Sequence, residues 1–475
     1  MKQSELWIGG ERVPPSGGEY FDDLNPSDLS VLAKVAKGSA DDINLAVEAA
    51  QKAFRSYKTT QAKEREKILC DAAALVERDR QEYLDLLIEE VGSPVMKAQF
   101  EVEYCINAFR AAAGVPRRLT GETMPLDRPG AFGMSIREPV GVIACITPFN
   151  VPLLKNVKQI AMVVATGNTS VLLPSEFATQ VTVRFAETLE EAGLPPGVFN
   201  YVTGNPFDIG DVLTSHPDVE AINFCGSPVI GQHVAQIAAK DLKPITLELG
   251  GKSPLIVLDD ADLDKALEAA TIGIFFFQGQ ACMASSRIFL QEGIAEEFTA
   301  RFVEIARNIK VGDLSDPATA LGPIISERQI NRIKGHISDA VEKGATVLHG
   351  GGDWQGQCCP PTILKGVEEG MSVFREETFG PVTSLYVVKD LEEAMVLAND
   401  TQYGLSFSIF TSNLTSAMKA ARDAGSGMVH INAMSIQDEP HVPFGGNGLS
   451  GFGREGTDAD LDIMTKWKWI TMQLD

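Results

Sequence analysis

Between residues 141 and 258 short apolar runs alternate with helical patterns, and this alternation restricts the possible folds more than any other feature of the chain. Runs at 141–147, 169–173, 200–202, 221–224 and 254–258 have the length of strands. Between them, 154–165, 179–192, 207–215 and 229–239 repeat apolar residues at helical spacing. Strands covered on both faces read as continuous apolar runs, and parallel neighbours need a crossover helix to join them. The expected fold class is therefore α/β, a parallel sheet with helices on both faces. Such sheets take ligands outside the carboxyl ends of their strands, which is the layout of a nucleotide-binding domain.

At 475 residues the chain exceeds what one core usually covers, so two domains are expected. A second series of strand candidates lies at 287–290, 345–349, 382–388 and 405–410. Upstream, residues 7–13 around Gly9-Gly10 read as a hairpin, and helical blocks follow from the N-cap Ser39, over 62–90 and over 94–113. The turn Asp127-Arg128-Pro129-Gly130 makes 121–140 a hairpin between two well-patterned regions. It reads as an arm, with an ordinary surface hairpin as the alternative.

The formal charge of −23 argues against nucleic acid or an anionic membrane as partner, since either needs clustered Lys and Arg. No apolar run is long enough to span a bilayer, and the start of the chain lacks a signal-peptide pattern. Seven scattered cysteines show no Cys-x-x-Cys spacing, so neither a metal site nor a disulfide framework is expected. These features together suggest a reduced, cytoplasmic protein.

Three stretches carry candidate chemistry. Gln278-Gly279-Gln280-Ala281-Cys282-Met283 follows the apolar run 272–277, so Cys282 is expected where a buried element meets a glycine loop. Backbone N–H groups at such a turn can lower a thiol's pKa and activate it as a nucleophile, while a buried structural cysteine is the plainer reading. In Leu247-Glu248-Leu249-Gly250-Gly251-Lys252 a carboxylate ends an apolar strand. Desolvation there raises its pKa and suits a general base, with a structural ion pair to Lys252 as the alternative. Phe224-Cys225-Gly226-Ser227-Pro228 follows a strand and opens a helix, which would aim N–H groups and the Ser227 hydroxyl at a pyrophosphate.

Further pieces stand in a fixed order: Pro148-Phe149-Asn150, Pro174-Ser175-Glu176, Glu376-Glu377-Thr378-Phe379-Gly380-Pro381 and Pro443-Phe444-Gly445-Gly446. With the 34 residues separating Glu248 from Cys282, the ordered set resembles the aldehyde dehydrogenase superfamily over essentially the whole chain. The resemblance implies a Rossmann-like NAD(P)-binding domain (1–120 and 141–247), a second α/β catalytic domain (248–454) and a small β oligomerisation arm (121–140 and 455–475). In the family that arm would pair with the C-terminal tail of a neighbouring subunit, in a homodimer or homotetramer. By the same resemblance Cys282 is the nucleophile, Glu248 the general base and Asn150 the oxyanion donor. Ile146, Thr147, Pro148, Glu176, Gly226, Ser227, Glu377 and Phe379 would contact the cofactor, and no metal is implied. The reaction would run through a Cys282 thiohemiacetal and a thioester that Glu248 helps water to hydrolyse.

Leu173 stands where the family usually has Lys, Gln159 follows Lys158 where a Lys is common, and Cys225 replaces a common Thr. Glu176 without a Lys at 173 favours NAD, with NADP possible. Residues 280–283, 431–440 and 468–470 look most like the benzaldehyde and vanillin dehydrogenase branch, and Phe149, Phe275, Phe276 and Phe277 are candidates to line an apolar tunnel. Semialdehydes or aliphatic aldehydes are the alternative substrates. A cysteine hydrolase would need a His in a recognisable motif, and a non-catalytic binding member would be expected to lose Cys282, Asn150 or Glu248.

Overall fold

In the computed structural model, which describes residues 2–474, five strands form the parallel centre of an eight-stranded sheet. They are Val142–Thr147, Thr169–Pro174, Phe199–Tyr201, Val219–Cys225 and Ile245–Glu248. Counted along the chain they lie side by side in the order 3-2-1-4-5, so the direction of winding reverses between Val142–Thr147 and Val219–Cys225. Crevices at such reversals are where doubly wound sheets hold ligands. The hairpin Leu6–Ile8/Glu11–Val13 extends one edge, and Gly451–Phe452 pairs antiparallel with Ile245–Glu248 on the other.

The helix Pro152–Thr166 has every residue buried, because it is enclosed by the sheet, by the helix Val95–Ala113 and by the short tail helix Leu461–Met464. A helix buried all round is normally apolar, yet this one carries Lys155, Asn156, Lys158 and Gln159. Each must find a partner inside the protein. The expected helical block over 62–90 is two helices, Ala62–Arg78 and Arg80–Val91. They break at Asp79, whose carboxylate accepts hydrogen bonds from Arg78 and Arg184.

A seven-stranded second sheet runs Thr346–His349, Thr362–Lys365, Val382–Val388, Arg287–Gln291, Pro254–Val257, Ser406–Phe410 and Met428–Ile431, parallel except at its first strand. The run 254–258, expected to continue the first series, instead opens this sheet by pairing with Arg287–Gln291 and Ser406–Phe410. The fifth strand of the first series is Ile245–Glu248, and the Gly250-Gly251 loop carries the chain from one sheet to the other.

The arm is a three-stranded antiparallel sheet of Glu122–Met124, Ala131–Pro139 and Thr465–Gln473. The tail that pairs with it belongs to the same chain, in an unbroken nine-residue register from Thr465↔Pro139 to Gln473↔Ala131, and not to a neighbouring subunit as expected. Of the segment 455–475, only this strand lies in the arm. Leu461, Ile463 and Met464 are buried with the core around the helix Pro152–Thr166, where their apolar side chains leave water.

Candidate active site

Cys282 lies on the loop after the helix Leu263–Phe275 and a short 3-10 turn, Phe276–Gly279. Three successive residues, Phe277, Gln278 and Gly279, have positive φ of 49°, 54° and 67°. For the two non-glycine residues this conformation costs about 1–3 kcal/mol each and persists only where surrounding contacts impose it. Those contacts are present: buried Gln278 donates to the carbonyls of Gly92 and Pro323 at 2.9 and 3.0 Å, and Gln280 accepts from the Ile325 N–H at 3.1 Å. Asn150 Nδ2 donates to the Gln280 carbonyl at 3.0 Å. The loop is thereby fixed from three sides, by Gly92, by the segment 323–325 and by Asn150.

Gly250 and Gly251 bring the end of the first sheet against this loop. A Cβ at Gly251 would come within 2.3 Å of the Cys282 carbonyl oxygen, and one at Gly250 within 2.1 Å of Glu377 Oε2. Any side chain here would push the loop or Glu377 away. Glu248, at the end of its strand, is 2% exposed, and neither carboxylate oxygen has a hydrogen-bond partner. Burial pushes its pKa well above the usual carboxylate range, against the attraction of Lys155. The alternative ion pair with Lys252 does not form, since the Lys252 ammonium also lacks a partner and burial holds it down to about 7.

Cys282 is half-buried, and burial pushes its thiol pKa up, with the Lys155 ammonium opposing. A thiol activated by the loop's own N–H groups was expected from the sequence; desolvation outweighs any such effect here. Five other thiols sit buried or half-buried, while Cys70 is exposed.

At the winding reversal, Gly226 and Ser227 follow Val219–Cys225, and Ser227 occupies the N-cap position of the helix Pro228–Lys240 without a side-chain cap hydrogen bond. Thr147, the last residue of the neighbouring strand, donates to Asn156 Oδ1 at 2.8 Å, and Ile146 before it and Pro148 just beyond it are half-buried. The free N–H groups of a helix start beside a glycine turn at the winding reversal suit a pyrophosphate. Glu377 accepts from the Gly251 N–H at 2.9 Å, and burial pushes its carboxyl up to about 7. Phe379, at φ 54°, stands edge-on to Phe149, which in turn meets Phe177 edge-on. Arg332 donates to the Glu377 carbonyl at 2.7 Å, and Gln329 to the carbonyls of Thr378 and Phe379 at 2.8 and 3.0 Å. These two supports come from the helix Glu327–Glu342, whose sequence carries no motif that would have announced them. Glu176 is half-buried, and Leu173, three residues earlier, is 1% exposed in the core of the first sheet.

The description "Aldehyde dehydrogenase family" belongs to the family profile that matches residues 13–470. The chain belongs to the aldehyde dehydrogenase family. A salicylaldehyde dehydrogenase of Pseudomonas putida is 38% identical over 99% of this chain and 98% of its own length. A vanillin dehydrogenase of Pseudomonas fluorescens is 37% identical over 100% of this chain and 98% of its own. The crystal structure of a salicylaldehyde dehydrogenase from Pseudomonas putida G7, complexed with salicylaldehyde, superposes with a TM-score of 0.97 at 38% identity, covering 100% of this chain and 98% of that one. The chemistry of the family is NAD(P)-dependent aldehyde oxidation.

In this aldehyde dehydrogenase the polar residues of the buried helix meet the tail of the chain. Lys155 pairs with Glu455 at 2.5 Å, Lys158 pairs with Asp438 at 2.7 Å, and Lys158 lies 3.9 Å from Glu455. The Phe444 ring sits 4.4 Å from the Lys158 ammonium and 5.0 Å from that of Lys155, both within cation–π range. Burial alone would push Glu455 up, but the two ammoniums outweigh it and hold its carboxyl below the ordinary value. Gln159 donates to Asn223 at 3.1 Å. Of the tunnel candidates, Phe275 stacks on Phe302 and Phe277 lies under Lys97, both in the core. Phe149 meets Phe379 edge-on. Phe276 alone of the four packs edge-on, at 5.7 Å, against Phe100, which lines a cleft of about 510 Å³. Tyr104, Asn107, Asp438 and His441 line the same cleft.

Proposed function

We propose that this chain oxidises aromatic aldehydes to carboxylic acids, with NAD preferred over NADP, and that Cys282, Glu248 and Asn150 perform the chemistry. The observation that carries the mechanism is Glu248: a buried carboxylate with both oxygens unpaired among the described residues and a raised pKa, three residues before Gly251, which lies against the Cys282 carbonyl. An unpaired buried carboxylate costs stability, and a proton-accepting task explains why it is kept.

Cys282 attacks the aldehyde carbon as thiolate, and the carbonyl oxygen takes the negative charge. Of the two Asn150 amide protons one is committed to the Gln280 carbonyl, which orients the amide; the other is free for that oxyanion, together with the Cys282 N–H. When bound, the nicotinamide supplies the hydride acceptor and a positive ring that counters the desolvation of the thiol. Loss of hydride from the carbon leaves a Cys282 thioester. Glu248 then removes a proton from water, whose oxygen adds to the thioester carbonyl, and the thiolate leaves with the acid formed.

The aromatic reading is supported by the salicylaldehyde and vanillin named in the two relatives, and by the aromatic wall Phe276–Phe100–Tyr104 beside the cleft. NAD preference is supported by Glu176 next to the apolar Leu173, which leaves a 2′-phosphate facing a carboxylate with no cation at that position. A homodimer or homotetramer built through the arm and a cytoplasmic location complete the proposal. The arm's exposed Trp467 and Trp469 support the first. The absence, among the described residues, of any helix long and apolar enough to cross a membrane is compatible with the second. The deciding experiment is a panel of benzaldehydes, aliphatic aldehydes and semialdehydes assayed for reduced cofactor. Benzaldehydes should lead in kcat/KM by at least about tenfold; a lead by either other group refutes the aromatic assignment.

A further inference from the structure

The two oxygens of Asp438 are treated very differently. Oδ2 accepts from the Tyr104 hydroxyl at 2.7 Å and from the Lys158 ammonium at 2.7 Å, while Oδ1 is buried with no partner among the described residues. The side chain is 8% exposed, and both Asp438 and Tyr104 line the cleft of about 510 Å³. A buried carboxylate oxygen left unpaired forfeits hydrogen bonds it would make with water, unless a ligand supplies the missing donor. Lys158 is the next turn of the helix after Lys155, whose charge reaches both Cys282 and Glu248. Burial, with the Asp438 carboxylate beside it, pushes the Tyr104 phenol well above its ordinary value, so Tyr104 remains a donor.

We propose that Asp438 Oδ1 accepts a hydrogen bond from a hydroxyl on the substrate's ring, so that the enzyme selects hydroxylated aromatic aldehydes over unsubstituted or etherified ones. The proposal rests on the aromatic reading above and names the residue that refines it. Tyr104 and Lys158 hold the carboxylate plane from one side, which fixes where Oδ1 points. Phe444, beneath Lys158, and Phe100, beside Tyr104, add the apolar and aromatic surface that a ring requires. A negatively charged ring substituent is disfavoured, because it would meet the Asp438 carboxylate first.

The consequence for a variant follows from the same geometry. In Asp438→Asn the amide must turn its oxygen to Lys158, which can only donate, so the NH2 group takes the place of Oδ1. An acceptor for the substrate becomes a donor. The test compares kcat/KM for 2-, 3- and 4-hydroxybenzaldehyde with their methyl ethers, below the pKa of each phenol. In the wild type the hydroxyl form should be preferred at one ring position by at least about tenfold, and Asp438→Asn should lower that ratio at least about tenfold. A ratio near one at all three positions in the wild type, or a ratio the variant leaves intact, overturns the proposal.

If Asp438→Asn does not fold, the wild type decides with ring amino groups, which donate as a hydroxyl does: a preference for an aminobenzaldehyde over its dimethylamino counterpart at the same ring position supports a fixed acceptor, and no such preference overturns the proposal. Failure of the broader reading looks different, since benzaldehyde itself would then be a poorer substrate than aliphatic aldehydes.

Discussion

Asn150 Nδ2 donates to the carbonyl of Gln280 at 3.0 Å, tying the amide to the backbone two residues before Cys282. A group placed this way is pre-organised before substrate arrives, so its second amide proton needs no reorientation as the oxyanion forms. Asn150→Ala should lower kcat by about 10²–10³. The KM for the cofactor should change little, because the loop retains the Gln278 and Gln280 anchors. Steady-state kinetics check both values; a loss confined to KM would assign Asn150 a binding role.

Burial holds the Cys282 thiol protonated in the free enzyme, and the positive nicotinamide opposes that effect. Alkylation at neutral pH should therefore label the exposed Cys70 before Cys282. Adding NAD should accelerate labelling of Cys282 and leave Cys70 unchanged, as peptide mass mapping with time can show. An unchanged Cys282 rate would contradict cofactor-assisted activation.

Glu455 holds Lys155 at 2.5 Å with both side chains at most 5% exposed. Glu455→Gln leaves a buried ammonium uncompensated and should destabilise the fold by about 3–5 kcal/mol, read as a lower Tm. Glu455 also raises the Glu248 pKa, as a like charge. A base is active only when deprotonated, so turnover should fall as pH drops through the raised pKa of Glu248. In Glu455→Gln that acid limb should move to lower pH in kcat profiles.

Leu173 is buried three residues before Glu176, and by the proposed cofactor placement Leu173→Lys would bring a cation toward the ribose. A charge-assisted hydrogen bond is worth about 1.5–3 kcal/mol, so both cofactors should bind tighter and the preference for NAD should narrow. Titration of each cofactor against the wild type and the variant measures this. An NADP affinity already equal to that of NAD in the wild type would remove its premise.

Much of this was legible because the relevant signals are local. Strand-helix alternation foretold the first sheet, and Glu248 and Cys282 were conspicuous as reactive residues near glycines next to apolar runs, whereas Glu377 was legible only through the family resemblance. The misassigned run 254–258 shows where local signals stop: an apolar strand reads the same in either sheet, and only pairing across distant residues decides. The tail was misjudged for a similar reason, since nothing in Thr465–Gln473 encodes whether its partner strand is on its own chain. Nothing in the sequence marked Lys155, Lys158, Asp438 and Glu455 as one buried set. Their burial depends on three segments meeting, and helical spacing alone does not reveal that.

The central claim is that catalysis passes through an acyl group on Cys282 that Glu248 helps water to remove. Glu248→Gln, mixed with NAD and benzaldehyde and quenched in acid during the first turnover, should give a burst of reduced cofactor, and mass spectrometry should find a benzoyl group on the peptide bearing Cys282. A burst without that adduct, or an adduct on any other cysteine, would contradict the account.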